Sequence, residues 1–332
     1  MAHIAPEALQ QILDARVTGA ALHEMLDHLA GCESCQATAR AEAQSLDVVL
    51  GATPFGTDTS DSNARTALTV GARIGRYQVV GPIEPTDPES PLLGVDSATR
   101  QHVALHFIRA SFEGVVAMLI HRRFWADVRT LGALGHPNVL RLYEAGAFKD
   151  RVYLALELTE GRDVSAWLTE QPRQVQEVLE MYRAAAQGLA VAHHAGAVHG
   201  AFGDSSVWVT TGGQVKVRGF ALGGRPLGSG FPALLSPEQS RGAAADARSD
   251  QYAFCAALKA SLERLPAPAP RKVLAALARG LALAPEQRWP SMSELALALE
   301  ARPKLSRRAL ALAAGLVTIA LAGAWVLWRV LR

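Results

Sequence analysis

Three potential metal ligands stand together in the run HLAGCESCQA, as His28-x3-Cys32-x2-Cys35. Spacings of three and four bring side chains to one face of a helix, and C-x2-C is a common zinc-ligand pair. Tetrahedral zinc needs a fourth ligand, and His3 and His23 are the candidates. The plainer reading is two buried thiols with two surface histidines. A third is redox sensing, in which oxidation of the thiols releases the metal. The remaining cysteine, Cys255 in YAFCAALKASL, reads as a packed helix residue. Three cysteines so spaced make no disulfide framework and point to a reducing compartment.

A second chemically suggestive stretch is VHGAFGDSSVWVTTGGQVKVRGFALGG, Val198 to Gly224. Asp204 could act there as a base, although a turn aspartate is the plainer reading. The elements that would position these groups follow from composition and period. Residues 1–50 are rich in Ala and Leu and read as short helices. Residues 51–72 have few large apolar groups and many Gly, Ser, Thr and Asp, so they read as a flexible linker. YQVVGPI, HVALHFI and RVYLALEL are strand-like: short, apolar and bounded by turn residues. From about Val175 helical period takes over, as in VQEVLEMYRAAAQGLAVAHHAG. A strand-rich half before a helix-rich half predicts an α+β domain of two lobes.

The run ALALAAGLVTIALAGAWVLW, residues 309–328, holds twenty residues without a charge. As a helix it would span roughly 30 Å, the thickness of a bilayer core. Trp325 and Trp328 lie near one end, where interfacial aromatics belong. Arg302, Lys304, Arg307 and Arg308 precede the run, and Arg329 and Arg332 follow it. The excess on the leading side predicts a single-pass tail anchor in the inner membrane, with the bulk of the protein cytoplasmic. No signal peptide opens the chain. A net charge of +2 over 332 residues offers no basis for nucleic-acid binding.

Residues 73–300 resemble a bacterial Ser/Thr protein kinase domain, with landmarks in family order. GRYQVVGPI looks like the first strand, and VALHFI sits where the family has V-A-I-K. LGHPNVLRLYEAG resembles the end of helix C running into the fourth strand, and VYLALELTEGRDVSAWL the hinge and helix D. VHGAFGDSSVWV is similar to the catalytic loop, VRGFALG to the D-F-G segment and SPEQ to A-P-E. DARSDQYAF looks like the start of helix F, and RGLALAPEQRWPSM like the last block. The resemblance implies a two-lobed kinase-like fold, with an N-lobe of about 73–158 and a C-lobe of about 159–300.

It also shows what is missing. Such a kinase positions ATP and stabilises charge, using a glycine-rich loop, a lysine–glutamate pair, a catalytic aspartate and two Mg²⁺ ligands. The loop region reads GPIEPTDPESPLLG, in which Pro85, Pro88 and Pro91 lack N–H donors and Glu84, Asp87 and Glu89 add negative charge. The lysine position holds His106, and no lysine precedes Lys149. The helix C glutamate position falls on Asp127. The catalytic aspartate becomes Ala201, the asparagine Ser206 and the D-F-G aspartate Gly219. The five-residue offset between Ala201 and Ser206 is that of the family, so register does not explain the loss. By the same resemblance the structural positions are filled. Asp250 should hold the catalytic loop, Glu238 should pair with Arg288, and Leu131, Leu142, His199 and Phe220 should form the apolar column between the lobes.

Two further departures concern the nucleotide pocket, whose vestigial positions are Ala104, Leu156 and Trp208. Trp208 stands where the family puts a leucine beneath adenine. Its indole either fills the pocket against Ala104 or turns aside into the core. The stretch LKASLERLPAPAPRKVLAALARGL has no room for helix G, so PAPAP reads as a short bridge.

The amino-terminal segment resembles the zinc-binding anti-sigma domain. In that family the upstream ligand lies about 25 residues before the motif histidine, and His3 stands 25 residues before His28, which favours His3 over His23. These readings lead to one expectation: a membrane-anchored pseudokinase, not an enzyme, that regulates or scaffolds signalling. Zinc would be its cofactor, while ATP and Mg²⁺ would not. Its partner would be a protein at the cytoplasmic membrane face, such as another kinase or a sigma factor. The alternatives are an unconventional kinase or nucleotide-binding enzyme, and a membrane-tethered anti-sigma-like transcription regulator.

Overall fold

The computed structural model describes residues 3–5, 25, 28–29, 31–38, 70–84, 90–109, 114–148, 151–223 and 234–300, with side chains left out at 109 and 114–121. The chain divides after Leu299, and Glu300 opens a separate unit. Among the described residues no helix is long and apolar enough to cross a membrane. The expected anchor, 309–328, lies outside the described residues.

The amino-terminal lobe is a six-stranded antiparallel sheet in the order β1-β2-β3-β4-β6-β5. Its strands are β1 Arg73–Ile74, β2 Tyr77–Pro82, β3 Leu92–Asp96, β4 His102–Arg109, β5 Leu142–Phe148 and β6 Arg151–Glu157. Alternation explains the faces: Tyr77 and Val79 are buried while Gln78 and Val80 are exposed. The expected linker ended at 72, yet Gly71 and Ala72 already pair with Val79 through bonds of 2.8 and 2.9 Å. The first strand itself begins at Arg73. Helix α1, Gly114–Ala133, packs on this lobe through Phe124, Val128 and Leu131.

The second lobe is mainly helical. A small sheet of β7 Gly161–Asp163, β8 Val207–Thr210 and β9 Val215–Val217 forms its upper edge. Below lie α2 Val164–Glu170, α3 Val175–His194, α4 Pro237–Ser240, α5 Ala247–Glu263, α6 Arg271–Gly280 and α7 Met292–Ala298. Caps mark several starts: Asp163 accepts from Ala166 N at 2.9 Å, and Asp246 from Ser249 N at 2.7 Å. Helix α3 buries Val178, Leu179, Tyr182, Ala185, Ala186 and Leu189 at the recurring three–four spacing, and it meets Phe254 of α5 edge-on. Helices α5 and α6 are joined directly through the Pro-rich bridge 264–270. Cys255 is fully buried on α5, and burial pushes its thiol up, as a packed residue requires.

A buried ion pair locks the lower lobe. Arg288 is 1% exposed and forks onto Glu238 at 2.6 and 2.8 Å, while its Nη1 also reaches Arg248 O at 2.9 Å. Burial raises the Glu238 carboxyl, but hydrogen bonds led by Arg288 outweigh it and hold the group at about 2. The folded pKa lies below the ordinary 4.5, so the contribution is fully present above that pH and is lost as pH falls through about 2. Arg288→Ala should cost about 3–5 kcal/mol in urea unfolding at neutral pH, because it leaves a buried carboxylate uncompensated. The gap between wild type and Glu238→Gln should narrow as pH falls below 4.5.

Candidate functional site

The loop 198–206 between α3 and β8 is held from beneath by one carboxylate. Asp250 Oδ2 accepts from His199 N at 2.7 Å, Asp250 Oδ1 accepts from Gly200 N at 2.8 Å, and His193 Nε2 lies 2.7 Å from Oδ2. Asp250 can do this because it sits in the first turn of α5, which Asp246 caps. Gly200 adopts φ 76°, a left-handed conformation that glycine reaches without steric cost. His199 then turns its Nε2 onto Arg218 O at 2.9 Å and packs against Phe220, with ring centroids 4.7 Å apart. Burial lowers the His199 pKa, so the imidazole serves as a neutral bridge. Leu131, Leu142 and Phe220 line one small cavity beside it. The structure thus brings together all four residues expected in the column between the lobes.

The charged positions are redeployed. His106 lies on β4 opposite Leu154, and Ala104 opposite Leu156. Burial lowers His106 to about 4, with Arg218 acting in the same direction, so the imidazole is neutral at pH 7. Asp127 on α1 turns to the backbone instead: its Oδ2 accepts from Gly223 N at 2.8 Å. Burial raises this carboxyl, against the pull of that hydrogen bond and of Arg123. Ala201 is buried beside His199. The Ser206 hydroxyl accepts from Gly203 N at 3.1 Å and so closes the short turn at 204–206. Gly219 has φ 81° and no side chain to offer a cation. These residues do not fit the family's Mg²⁺ arrangement, which draws on carboxylate and amide oxygens. Burial raises the Asp204 carboxyl, with Arg264 opposing and Asp163 adding to the rise. Pro85, Asp87, Pro88 and Glu89 lie outside the described residues.

Two cations were not foreseen. Lys216, the central residue of β9, is buried; its Nζ meets Glu157 Oε2 at 2.9 Å and Pro137 O at 3.3 Å. Glu157 also accepts from Arg141 N at 3.2 Å, so one carboxylate at the end of β6 ties the connection between lobes to β9. A charge centred in the apolar run VKV was the available signal. Arg218 precedes Gly219-Phe220-Ala221, and its guanidinium lies 3.6 Å from the Trp208 ring centroid. Trp208 Nε1 donates to Thr159 O at 3.3 Å. The indole lies half-buried by the hinge, where Gly161 must stay small because a Cβ would meet Trp208 Nε1.

At the amino terminus, His3, His28, Cys32 and Cys35 present ligand atoms all within 4.8 Å of one another. Cys32 Sγ and Cys35 Sγ each lie 3.5 Å from His3 Nδ1, and Cys35 Sγ lies 3.4 Å from His28 Nε2. Zinc bonds of about 2.3 Å to sulfur and 2.0–2.1 Å to nitrogen set the S–N edge of a tetrahedron near 3.5 Å. The quartet therefore fits the ion. His23 lies outside the described residues.

Residues 95–290, more than half of the chain, match the family model described as protein tyrosine and serine/threonine kinase, and the chain belongs to that family. It is 28% identical over 239 residues to serine/threonine-protein kinase pkn2 of Myxococcus xanthus, a match covering 66% of this chain and 28% of that protein. It is 28% identical over 199 residues to PrkC of Bacillus subtilis, covering 56% of this chain and 30% of that protein. The chain thus spans under a third of the length of these two relatives. The crystal structure of the Mycobacterium tuberculosis PknI kinase domain superposes with a TM-score of 0.59 at 25% identity, covering 70% of this chain and 98% of that one. The expectation that the chain is not an enzyme is corrected by these relatives, which are serine/threonine-protein kinases over the matched domain. The physical reason is that such catalysis is largely positioning, and the positioning frame is present here, so changes at individual charged positions do not decide against turnover. Neither alternative, the unconventional nucleotide enzyme nor the anti-sigma-like regulator, gains support from the relatives.

Asp250→Ala should cost about 3–5 kcal/mol and remove hydrogen-exchange protection at the His199 and Gly200 amides. Asp127→Asn keeps an acceptor for Gly223 N–H and removes the ionisable group. A raised carboxyl pKa favours folding when protonated and loses that contribution as pH rises. The stability of Asp127→Asn relative to wild type should therefore grow from the carboxylate range to neutral pH in urea titrations.

Proposed function

We propose that this chain works in serine/threonine kinase signalling as a regulatory or scaffolding member of the family. The observation that carries the reading is the contrast within one loop. Asp250 and His199 hold the catalytic-loop backbone, while the family's base and metal-ligand positions are Ala201, Ser206 and Gly219. Phosphoryl transfer by this chain would have to draw on groups outside those positions. A regulator acts through its surface and conformation, and a well-held two-lobed frame serves both. The run 309–328 would anchor it in the inner membrane with its bulk cytoplasmic, and its partner would be a protein at that membrane face, such as another kinase.

Added to an active serine/threonine kinase of the family, the full chain is expected to change that kinase's rate on a generic protein substrate. A rate unchanged at saturating amounts of this chain would sink the regulatory reading.

The amino-terminal quartet is proposed to hold one zinc ion through His3, His28, Cys32 and Cys35, as the edge lengths near 3.5 Å support. Zinc would supply folding energy there, since so short a segment has little core of its own. Metal analysis of the purified full chain should find about one zinc per chain and Cys35→Ser should lose it; equal zinc in both proteins would count against the assignment.

A further inference from the structure

We infer that the groove between the end of α5 and the start of α6 is a docking site for a leucine-bearing, acidic segment of a partner protein. This inference stands on the groove itself and does not require the regulatory role proposed above.

The groove follows from how the chain passes from α5 to α6. The bridge 264–270 carries Pro266, Pro268 and Pro270, whose rings fix φ at about −65° and remove N–H donors, so no helix fills this stretch. Beside the bridge lies a hollow of ≈ 350 Å³. Sites that enclose a ligand hold about 300–1,000 Å³. Leu262, Leu265, Leu274, Pro266 and Pro268 supply its apolar wall. Leu262 is buried, Leu265 half-buried and Leu274 46% exposed, so the wall runs from the core out to solvent. The prolines hold the bridge in shape before anything binds, which reduces the ordering cost of docking. The surroundings are positive. From Ala256 to Pro285 the chain carries five cations, Lys259, Arg264, Arg271, Lys272 and Arg279, and one carboxylate, Glu263. Lys259 already meets Glu263 at 2.7 Å on the groove's edge. Arg271 stands three residues before Leu274, on the same exposed face of α6. A complementary ligand therefore brings apolar side chains for the hollow and carboxylates for its edge. A bilayer would meet groups that project outward, whereas this apolar wall is recessed and suits a side chain inserted from a protein segment.

The test is fluorescence anisotropy of a dye-labelled peptide of leucine and glutamate, with leucines at three–four spacing, titrated with the full chain. Its counterpart has lysine in place of glutamate. The glutamate peptide is expected to bind with a Kd below about 1 mM, and the lysine peptide at least about tenfold more weakly. Leu274→Asp should weaken the glutamate peptide at least about tenfold, and Arg271→Glu should weaken it by a smaller factor that shrinks as salt is raised. No saturation up to about 1 mM overturns the inference, as does equal binding of the two peptides. Binding unchanged by Leu274→Asp in a chain with wild-type circular dichroism also overturns it, because the peptide would then sit elsewhere. Should Leu274→Asp not fold, Arg271→Glu carries the comparison, and equal binding by that variant and wild type overturns the inference. Displacement of the peptide by phosphatidylglycerol vesicles as effective as by unlabelled peptide would assign the surface to lipid and overturn it too.

Discussion

One carboxylate organises the centre of this protein. Asp250 projects from a capped helix in the lower lobe and collects the amides of His199 and Gly200, with His193 alongside. Buried N–H groups left without acceptors are costly, so the loop has one well-defined conformation as long as Asp250 stays in place. From that fixed loop the contacts propagate. His199 reaches the Arg218 carbonyl and stacks on Phe220, and Phe220 meets the leucines of the upper lobe. The position of the Arg218 backbone follows from where Asp250 holds His199.

Around this frame the charged groups stand at other places than in the family pattern. The upper sheet contributes a neutral imidazole at His106, and no lysine precedes Lys149 in the chain. The positive charge comes from the lower lobe through Arg218, and a second cation, Lys216, is buried against Glu157 at the hinge. Asp127, freed from a lysine, binds the Gly223 amide and so connects α1 to the segment after Phe220. Lys216, Arg218 and Asp127 each meet a partner of suitable chemistry, as low-dielectric surroundings demand. The departures from the family pattern therefore form one consistent arrangement. They are not scattered losses.

Family membership and site composition address different properties. The family is carried by the two lobes, the Glu238–Arg288 pair and the loop held by Asp250, and relatives over this domain are serine/threonine kinases. Function belongs to the site, because one fold hosts many activities. The present site keeps the means of positioning and changes the groups positioned.

Much of this was written locally. Period-two runs marked the strands, helical period marked α3, and motif order along the chain marked the landmarks from the hinge to Arg288. Spacing brought His28, Cys32 and Cys35 to one face, because helix geometry fixes neighbours three and four residues apart. Partners distant in the chain were a different matter. Whether Trp208 entered the core or lay by the hinge depended on Thr159 and Gly161, far away in sequence, and rotamers follow surroundings. Nothing in the order of residues paired Arg218 with Trp208 or Lys216 with Glu157, and only folding brought them together. The sequence by itself determined the order of elements and which charges were missing, since both are properties of the chain read in line. The tertiary structure alone decided where the remaining charges went, because desolvation and pairing arise only when distant segments come together.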